Sequence, residues 1–152
     1  MIHPKKVGHV VLKGRDLKKM EQFYTEVLGF EVVTRLDRPR GIRGVFFSLG
    51  TQHHDLAVLE VPSDAEPVKA QQVGLHHVAL QVGSFDELKE CYRTLKAHNI
   101  QTSTVDHFIT KSIYFADPEG NGIELYCDEG EDGLARIRRG DAAAFGPLNL
   151  EA

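Results

Sequence analysis

Two histidines occupy matching places in two similar stretches of the sequence. His9 opens the apolar run His-Val-Val-Leu, and His77 opens His-Val-Ala-Leu 68 residues further along. Glu124 stands between apolar Ile123 and Leu125 in a later β-rich segment. Burying a carboxylate is costly unless a cation compensates it, so Glu124 is a candidate metal ligand. Two imidazoles and one carboxylate form the ligand set of non-heme Fe(II) oxygen chemistry, which leaves coordination positions open.

The segments that must position these residues repeat one order of elements. After each histidine strand comes a polar cap, Asp16 or Ser84, and then an amphipathic helix in which Tyr24 and Tyr92 are again 68 residues apart. Turn-bounded β segments follow at 30–33, 44–49 and 56–61, and again at 100–105, 112–116 and 122–127. We therefore expect an α+β fold class with two tandem βαβββ modules, at about 5–62 and 73–128, followed by a C-terminal tail at 129–152. Each module alone is too small to bury its sheet, so we expect both to pack into a single domain.

The bulk composition narrows the class of protein. With 152 residues and 41% hydrophobic residues, the chain has the size of one ordinary domain. A net charge of -4 gives no basic field for nucleic acid. The two cysteines, Cys91 and Cys127, form no disulfide framework and suit a reducing cytoplasm. No secretion signal and no apolar run of roughly 20 residues is visible, so we expect a cytoplasmic protein without a membrane segment.

Longer strings carry a family resemblance. The sequence reads FYTEVLGFEV at 23–32 and DPEGNGIELY at 117–126, with the paired strand histidines around them. In this order and spacing, residues 5–128 resemble the vicinal oxygen chelate superfamily, which includes glyoxalase I, bleomycin-resistance proteins and the type I extradiol dioxygenases. The resemblance implies two βαβββ modules whose curved sheets enclose a metal and ligand cavity. It also implies that His9, His77 and Glu124 are the metal ligands.

Further residues resemble the extradiol ring-cleavage enzymes of that superfamily. His54, His107 and Tyr114 occur in the order of their functional residues. The resemblance implies that His54 is the acid/base residue, and that His107 and Tyr114 hydrogen-bond the substrate or its intermediates. An imidazole pKa near 6.5 suits His54 to that proton transfer.

The same resemblance implies a cofactor and substrates. The cofactor is Fe(II), with Mn(II) as the alternative metal, and the substrates are O2 and a small-molecule catechol, such as catechol itself or 2,3-dihydroxybiphenyl. The product is a ring-opened semialdehyde acid. Because curved sheets leave open edges, we also expect a homo-oligomer.

Glu60 supports a second hypothesis. It matches the position at which glyoxalase I-like enzymes supply a fourth metal ligand, and a closed set of four protein ligands suits Zn or Ni and proton-transfer isomerisation. A strand of roughly 20 Å separates Glu60 from His54, so both cannot lie beside one metal. We favour the dioxygenase because the glyoxalase hypothesis leaves His54, His107 and Tyr114 without a task. A metal-free protein that sequesters a planar aromatic is a third hypothesis, although such a pocket needs no buried carboxylate between imidazoles.

Overall fold

The protein is described by a computed structural model that covers residues 1–39, 41–69, 71–140 and 145–151. Its contacts define two compact units. The first is Met1–Gln72 together with Asp117–Asn121, and the second is Val73–Ala116 together with Gly122–Ala152. Each unit contains one mixed β-sheet and at least one helix, so the predicted α+β class is confirmed. No helix in the described ranges is long and apolar enough to cross a lipid bilayer.

The first unit is a four-stranded sheet with one helix. Its elements are β1 (Val10–Gly14), α1 (Leu17–Gln22, continued by a π-helical turn at Phe23–Val27), β2 (Glu31–Arg38), β3 (Ile42–Ser48) and β4 (Leu56–Glu60). The strand order is β1-β4-β3-β2, in which only β1 and β4 run parallel. The predicted cap is confirmed, because the Asp16 side chain accepts a hydrogen bond from the backbone N–H of Lys19. Met20 and Tyr24 on the helix side and Phe47 and Val58 on the sheet form a fully buried core.

The second unit repeats this order and adds to it. Its elements are β5 (Val78–Gln81), α2 (Phe85–Ala97), β6 (Ser103–Asp106), β7 (Thr110–Ala116), β8 (Gly122–Asp128), α3 (Gly133–Arg138) and β9 (Gly146–Pro147). The strand order is β5-β8-β7-β6-β9, with β5 and β8 parallel. Ser84 caps α2 by accepting from the Glu87 N–H, while the Glu87 carboxylate accepts from the N–H of Gly83. Leu88 and Leu95 of α2 are buried.

Two boundaries differ from the sequence prediction. The second strand was expected to end at Val33, but β2 continues to Arg38 and pairs with β3 along its length. Its added residues are mostly exposed, so no alternation of apolar and polar residues marked them as strand. The predicted tail also contains regular structure, because α3 and β9 lie within it and β9 extends the second sheet beside β6.

The turn between β7 and β8 belongs to the first unit and joins the two long strings of the sequence. Asp117 is buried and accepts hydrogen bonds from the Tyr24 hydroxyl (3.1 Å) and the Asn121 amide (2.8 Å). Glu119 accepts from the backbone N–H groups of Arg15 and Asp16 and from the Arg15 side chain (2.7 Å). This turn therefore holds the segment between β1 and α1.

Candidate functional site

Four of the predicted site residues form one hydrogen-bonded row in the second unit, here called the polar row. The His107 Nε2 atom lies 2.8 Å from the Tyr114 hydroxyl, and that hydroxyl donates to Glu124 Oε1 at 2.7 Å. The second carboxylate oxygen, Oε2, lies 3.0 Å from His77 Nε2. The structure thus joins two predicted metal ligands, His77 and Glu124, to the two predicted substrate-binding residues.

Strand phase puts this row on one face of the sheet. Ile113, Ile123 and Leu125 occupy one phase of β7 and β8 and are buried. Tyr114 and Glu124 occupy the opposite phase and face each other across the ladder. Because the apolar residues fill one side, the sequence sends these two polar side chains to the other.

Glu124 is only 8% exposed, and its recorded partners are an imidazole and a phenol. A carboxylate with this burial requires compensation. The nitrogen of His77 and the oxygens of Glu124 are donor types that Fe(II) accepts, so these residues fit the predicted metal.

The direction of the hydrogen bonds fixes the protons in the row. Burial, the hydrogen bond to Glu124 and the charge of that carboxylate raise the pKa of Tyr114 to about 12, so the phenol is protonated at neutral pH. Since its hydroxyl donates to Glu124, its oxygen accepts from His107, which therefore carries a proton on Nε2. Protons in the row thus point from His107 through Tyr114 toward Glu124.

Gly122 was missed by the sequence analysis, although it supports the row. A Cβ added there would collide with the backbone carbonyl oxygen of His76 and lie 3.2 Å from the His77 Cβ. The absent side chain lets the start of β8 approach the segment that carries His77. A glycine at the first position of a strand that leads to a candidate ligand is the signal that could have identified it.

The other two predicted residues, His9 and His54, lie together in the first unit. Their ring centroids are 4.2 Å apart, and His54 also packs edge-to-face on Phe46 at 5.0 Å. His53 Nδ1 lies 2.6 Å from His54 Nδ1. Partial burial and the neighbouring His9 and His53 lower the pKa of His54. A neutral imidazole beside a candidate ligand is suited to accept a proton.

Asp55 holds the loop that carries His54. Its Oδ2 atom accepts from the Leu49 N–H at 2.7 Å and from Ser48 at 3.3 Å, while Oδ1 accepts from the Gln52 amide at 2.5 Å. By accepting three hydrogen bonds, the Asp55 carboxylate closes the loop between β3 and β4. The sequence analysis gave Asp55 no role, although Asp side chains commonly hydrogen-bond the backbone of turns and Asp55 ends the loop before β4.

Glu60, the basis of the glyoxalase hypothesis, has another partner. Both its carboxylate oxygens lie 2.9 Å from Nη1 of Arg43. In the parallel ladder Glu60 pairs with Gly14, whereas Leu56 pairs with Val10 next to His9. Glu60 therefore sits at the opposite end of β4, about 13 Å along the strand from Leu56 at 3.3 Å per residue. This position gives no support to Glu60 as a ligand alongside His9.

The predicted set is thus grouped as two clusters in two units. His77, Glu124, Tyr114 and His107 form one, and His9 with His54 forms the other. Within the residues that the structure describes, no group of three or more His, Cys, Asp or Glu side chains is arranged to hold a metal ion. The assignment of His9 as the third ligand accordingly stays a prediction.

The repeated module and the matching histidines define a protein of the vicinal oxygen chelate fold. A comparison with protein families gives the same result, because the model of the Glyoxalase/Bleomycin resistance protein/Dioxygenase superfamily matches residues 6–125. The chain belongs to this superfamily.

Two relatives named as dioxygenases are about 30% identical to this chain over the residues that align. Biphenyl-2,3-diol 1,2-dioxygenase 2 of Rhodococcus globerulus is 32% identical over 124 residues, which are 81% of this chain and 63% of that protein. Catechol-2,3-dioxygenase of Bacillus subtilis (strain 168) is 30% identical over 89% of this chain and 46% of its own length. The chain thus spans between about half and two thirds of these two relatives.

Solved structures support the fold. A glyoxylase/bleomycin resistance protein/dioxygenase domain from Frankia sp. EAN1pec superposes with a TM-score of 0.74 at 20% identity, covering 84% of this chain and all of that one. Lactoylglutathione lyase from Agrobacterium tumefaciens gives 0.61 at 23% identity, covering 82% of this chain and 94% of that one. Since both identities are low, these matches establish the architecture alone.

Proposed function

We propose that this protein is an Fe(II)-dependent extradiol dioxygenase that opens the ring of a catechol with O2. The observation that carries the proposal is the polar row, in which a buried carboxylate is bonded on one side to His77 and on the other to Tyr114 and His107. The relatives named as biphenyl-diol and catechol dioxygenases support it. Isomerisation of the glyoxalase type needs neither Tyr114 nor His107.

We assign the metal to His77, Glu124 and His9. His77 Nε2 lies 3.0 Å from Glu124 Oε2, and His9 directly precedes β1 as His77 directly precedes β5. When bound, iron supplies a Lewis-acid centre with open positions for the substrate and for O2.

The polar row orients the substrate and handles protons. In this row the Tyr114 hydrogen is donated to Glu124 and the His107 hydrogen to Tyr114, so a catechol oxygen that enters the row would accept a hydrogen bond from one of these two donors in place of its present acceptor. As the ring opens, the proton on His107 Nε2 is available to the substrate oxygen that the imidazole hydrogen-bonds. Tyr114 also orients the proposed metal ligand Glu124, because its hydroxyl donates a hydrogen bond to the Glu124 carboxylate.

His54 accepts a proton from the catechol. Its imidazole is held by ring contacts with His9 and Phe46, and its loop is closed by Asp55. A positioned general base contributes about a hundredfold or more to a proton transfer. His54 is therefore expected to affect the rate and not the retention of the metal.

The test is O2 uptake by anaerobically purified protein loaded with Fe(II) and given a panel of catechols. We expect O2 consumption and a yellow ring-fission product. His77→Ala is expected to lose bound iron, whereas His54→Gln keeps iron and turns over about a hundredfold more slowly. His98→Ala, at the exposed end of α2, is the matched control and is expected to behave as the parent protein.

Absence of O2 uptake with every catechol, together with methylglyoxal–glutathione isomerisation supported by Ni or Zn, would overturn the proposal. Retention of full iron content and activity in His77→Ala would overturn the ligand assignment.

A further inference from the structure

The end of the chain is fixed to the second sheet. Gly146 and Pro147 pair with Asp106 and Val105, so that β9 runs antiparallel along β6. The Thr104 hydroxyl donates to the carbonyl of Leu148 at 2.7 Å. Leu150 is 2% exposed. These contacts give residues 145–151 a defined position beside the strand that leads to His107.

The same register brings Phe145 to His107. Because Asp106 pairs with Gly146, one further step along the antiparallel ladder places Phe145 opposite His107. The two rings meet at a centroid distance of 5.0 Å and an angle of 78°, an edge-to-face contact. An aromatic residue from the C-terminal segment therefore adjoins the polar row.

The turn that carries His107 is held by Asp106 and by α3. Phe108 has a positive φ of 62°, and its N–H donates to Asp106 Oδ1 at 2.8 Å. The guanidinium of Arg136 in α3 donates to the Phe108 carbonyl at 2.6 Å and to the Glu129 carbonyl at 2.9 Å. His107 and its neighbour Phe145 are thus presented on an anchored backbone.

Phe145 remains 70% exposed although the next residue, Gly146, pairs with Asp106. A solvent-exposed phenyl ring beside His107, at the end of a row of hydrogen-bonding groups, has the composition of a ligand site, in which polar atoms orient the ligand and an apolar surface covers it. In 2,3-dihydroxybiphenyl the phenyl substituent is ortho to a hydroxyl, so hydroxyls bound at the polar row would bring that substituent to the edge of the row. That substituent is the part that a neighbouring phenyl ring can cover.

We propose that Phe145 is a specificity-determining residue that packs against the ring substituent of the substrate and favours aryl-substituted catechols. The proposal rests on the proposed catechol-cleaving function. It assigns to the C-terminal segment a part in substrate selection that neither the ligand set nor the polar row supplies.

The kinetic test compares catechol with 2,3-dihydroxybiphenyl in the Fe(II)-loaded enzyme. Phe145→Ala is expected to raise KM for 2,3-dihydroxybiphenyl about tenfold, the size of one lost aromatic contact, and to change KM for catechol less than threefold. Phe145→Tyr is expected to restore the parent value. Leu134→Ala, an equally exposed apolar residue in α3, is the matched control and should change neither.

A binding test separates this proposal from the function itself. The chain contains no tryptophan, so Phe145→Trp creates a single tryptophan whose emission can be excited selectively over that of the tyrosines. Anaerobic titration with 2,3-dihydroxybiphenyl should change the tryptophan emission of Phe145→Trp in a saturable way. In Leu134→Trp the emission should fall only because the ligand absorbs the exciting light, with no saturation.

The outcomes are distinct. If the parent enzyme cleaves catechols but Phe145→Ala leaves both KM values unchanged and Phe145→Trp gives no saturable signal, this inference is wrong and the proposed function stands. If the parent protein cleaves no catechol and Phe145→Trp gives no saturable signal, both are wrong.

Discussion

Substituting Gly122 by Ala is expected to disturb the polar row through the backbone. An added Cβ would meet the carbonyl oxygen of His76 well inside 3.0 Å, a separation that real Cβ atoms essentially never show. Because the colliding atom belongs to the backbone, no side-chain rotation relieves it. Overpacking of this kind costs about 1–3 kcal/mol. A loss of about 2 kcal/mol lowers Tm by roughly 4–8 °C in a protein of this size.

The clash also acts on the metal site. Relief requires β8 or the His76–His77 segment to shift, which would change the 3.0 Å separation between His77 and Glu124. We expect Gly122→Ala to bind Fe(II) about tenfold more weakly, as for other disturbed ligand supports. Thermal unfolding, urea denaturation and metal analysis after dialysis measure both effects.

Gly8 provides a matched control. Gly8 directly precedes the candidate ligand His9, and Gly122 lies two residues before the candidate ligand Glu124. Unlike at Gly122, a Cβ added at Gly8 would have no atom within 4 Å. Gly8→Ala is therefore expected to keep the parent stability and iron content. Equal stability and equal iron affinity of the two variants would refute the close-approach argument.

Two further predictions concern the turn at 117–121. At neutral pH, Glu119→Gln should lower the unfolding free energy by about 1–2 kcal/mol, measured by urea denaturation. Burial alone would raise the pKa of Glu119, but hydrogen bonds from Arg15 and from the backbone N–H of Asp16 lower it overall. The carboxylate therefore stabilises the fold above its ordinary pKa of about 4.5, and the difference in unfolding free energy between parent and variant should shrink as pH falls below that value. A pH-independent difference would contradict this account. Tyr24→Phe removes the hydroxyl that donates to buried Asp117 and should cost about 1–2 kcal/mol by the same assay, whereas an unchanged stability would show that this hydrogen bond contributes nothing.

Much of the fold could be predicted because the sequence pattern of the module occurs twice. The 68-residue spacing of His9 and His77 recurs in Phe47 and Phe115, both of which are buried. Periodicity located α2, and the capping residue Ser84 located its start. By contrast, the exposed residues of β2 and the short strand β9 gave no periodic signal, because their pairing depends on neighbouring strands and not on a buried face.

The sequence indicated residue types for a candidate site but not the contacts between those residues. Strand phase predicted that Glu124 faces away from Ile123 and Leu125, and in the structure Glu124 pairs with Tyr114 across the ladder. The contact between His107 and Phe145 depends on the register of β9, which no local pattern encodes. The hydrogen bonds that Asp55 accepts likewise depend on residues that come together only in the folded loop.

The central claim is that a catechol ring is opened by insertion of both atoms of O2. The most direct measurement is mass spectrometry of the product formed by the Fe(II)-loaded protein under dioxygen labelled with heavy oxygen. The account predicts a ring-opened semialdehyde acid that carries both labelled atoms, less any label that its new aldehyde or carboxyl group exchanges with water. A product that carries no label at the earliest measurable times, or an unopened ring after prolonged incubation, would contradict it.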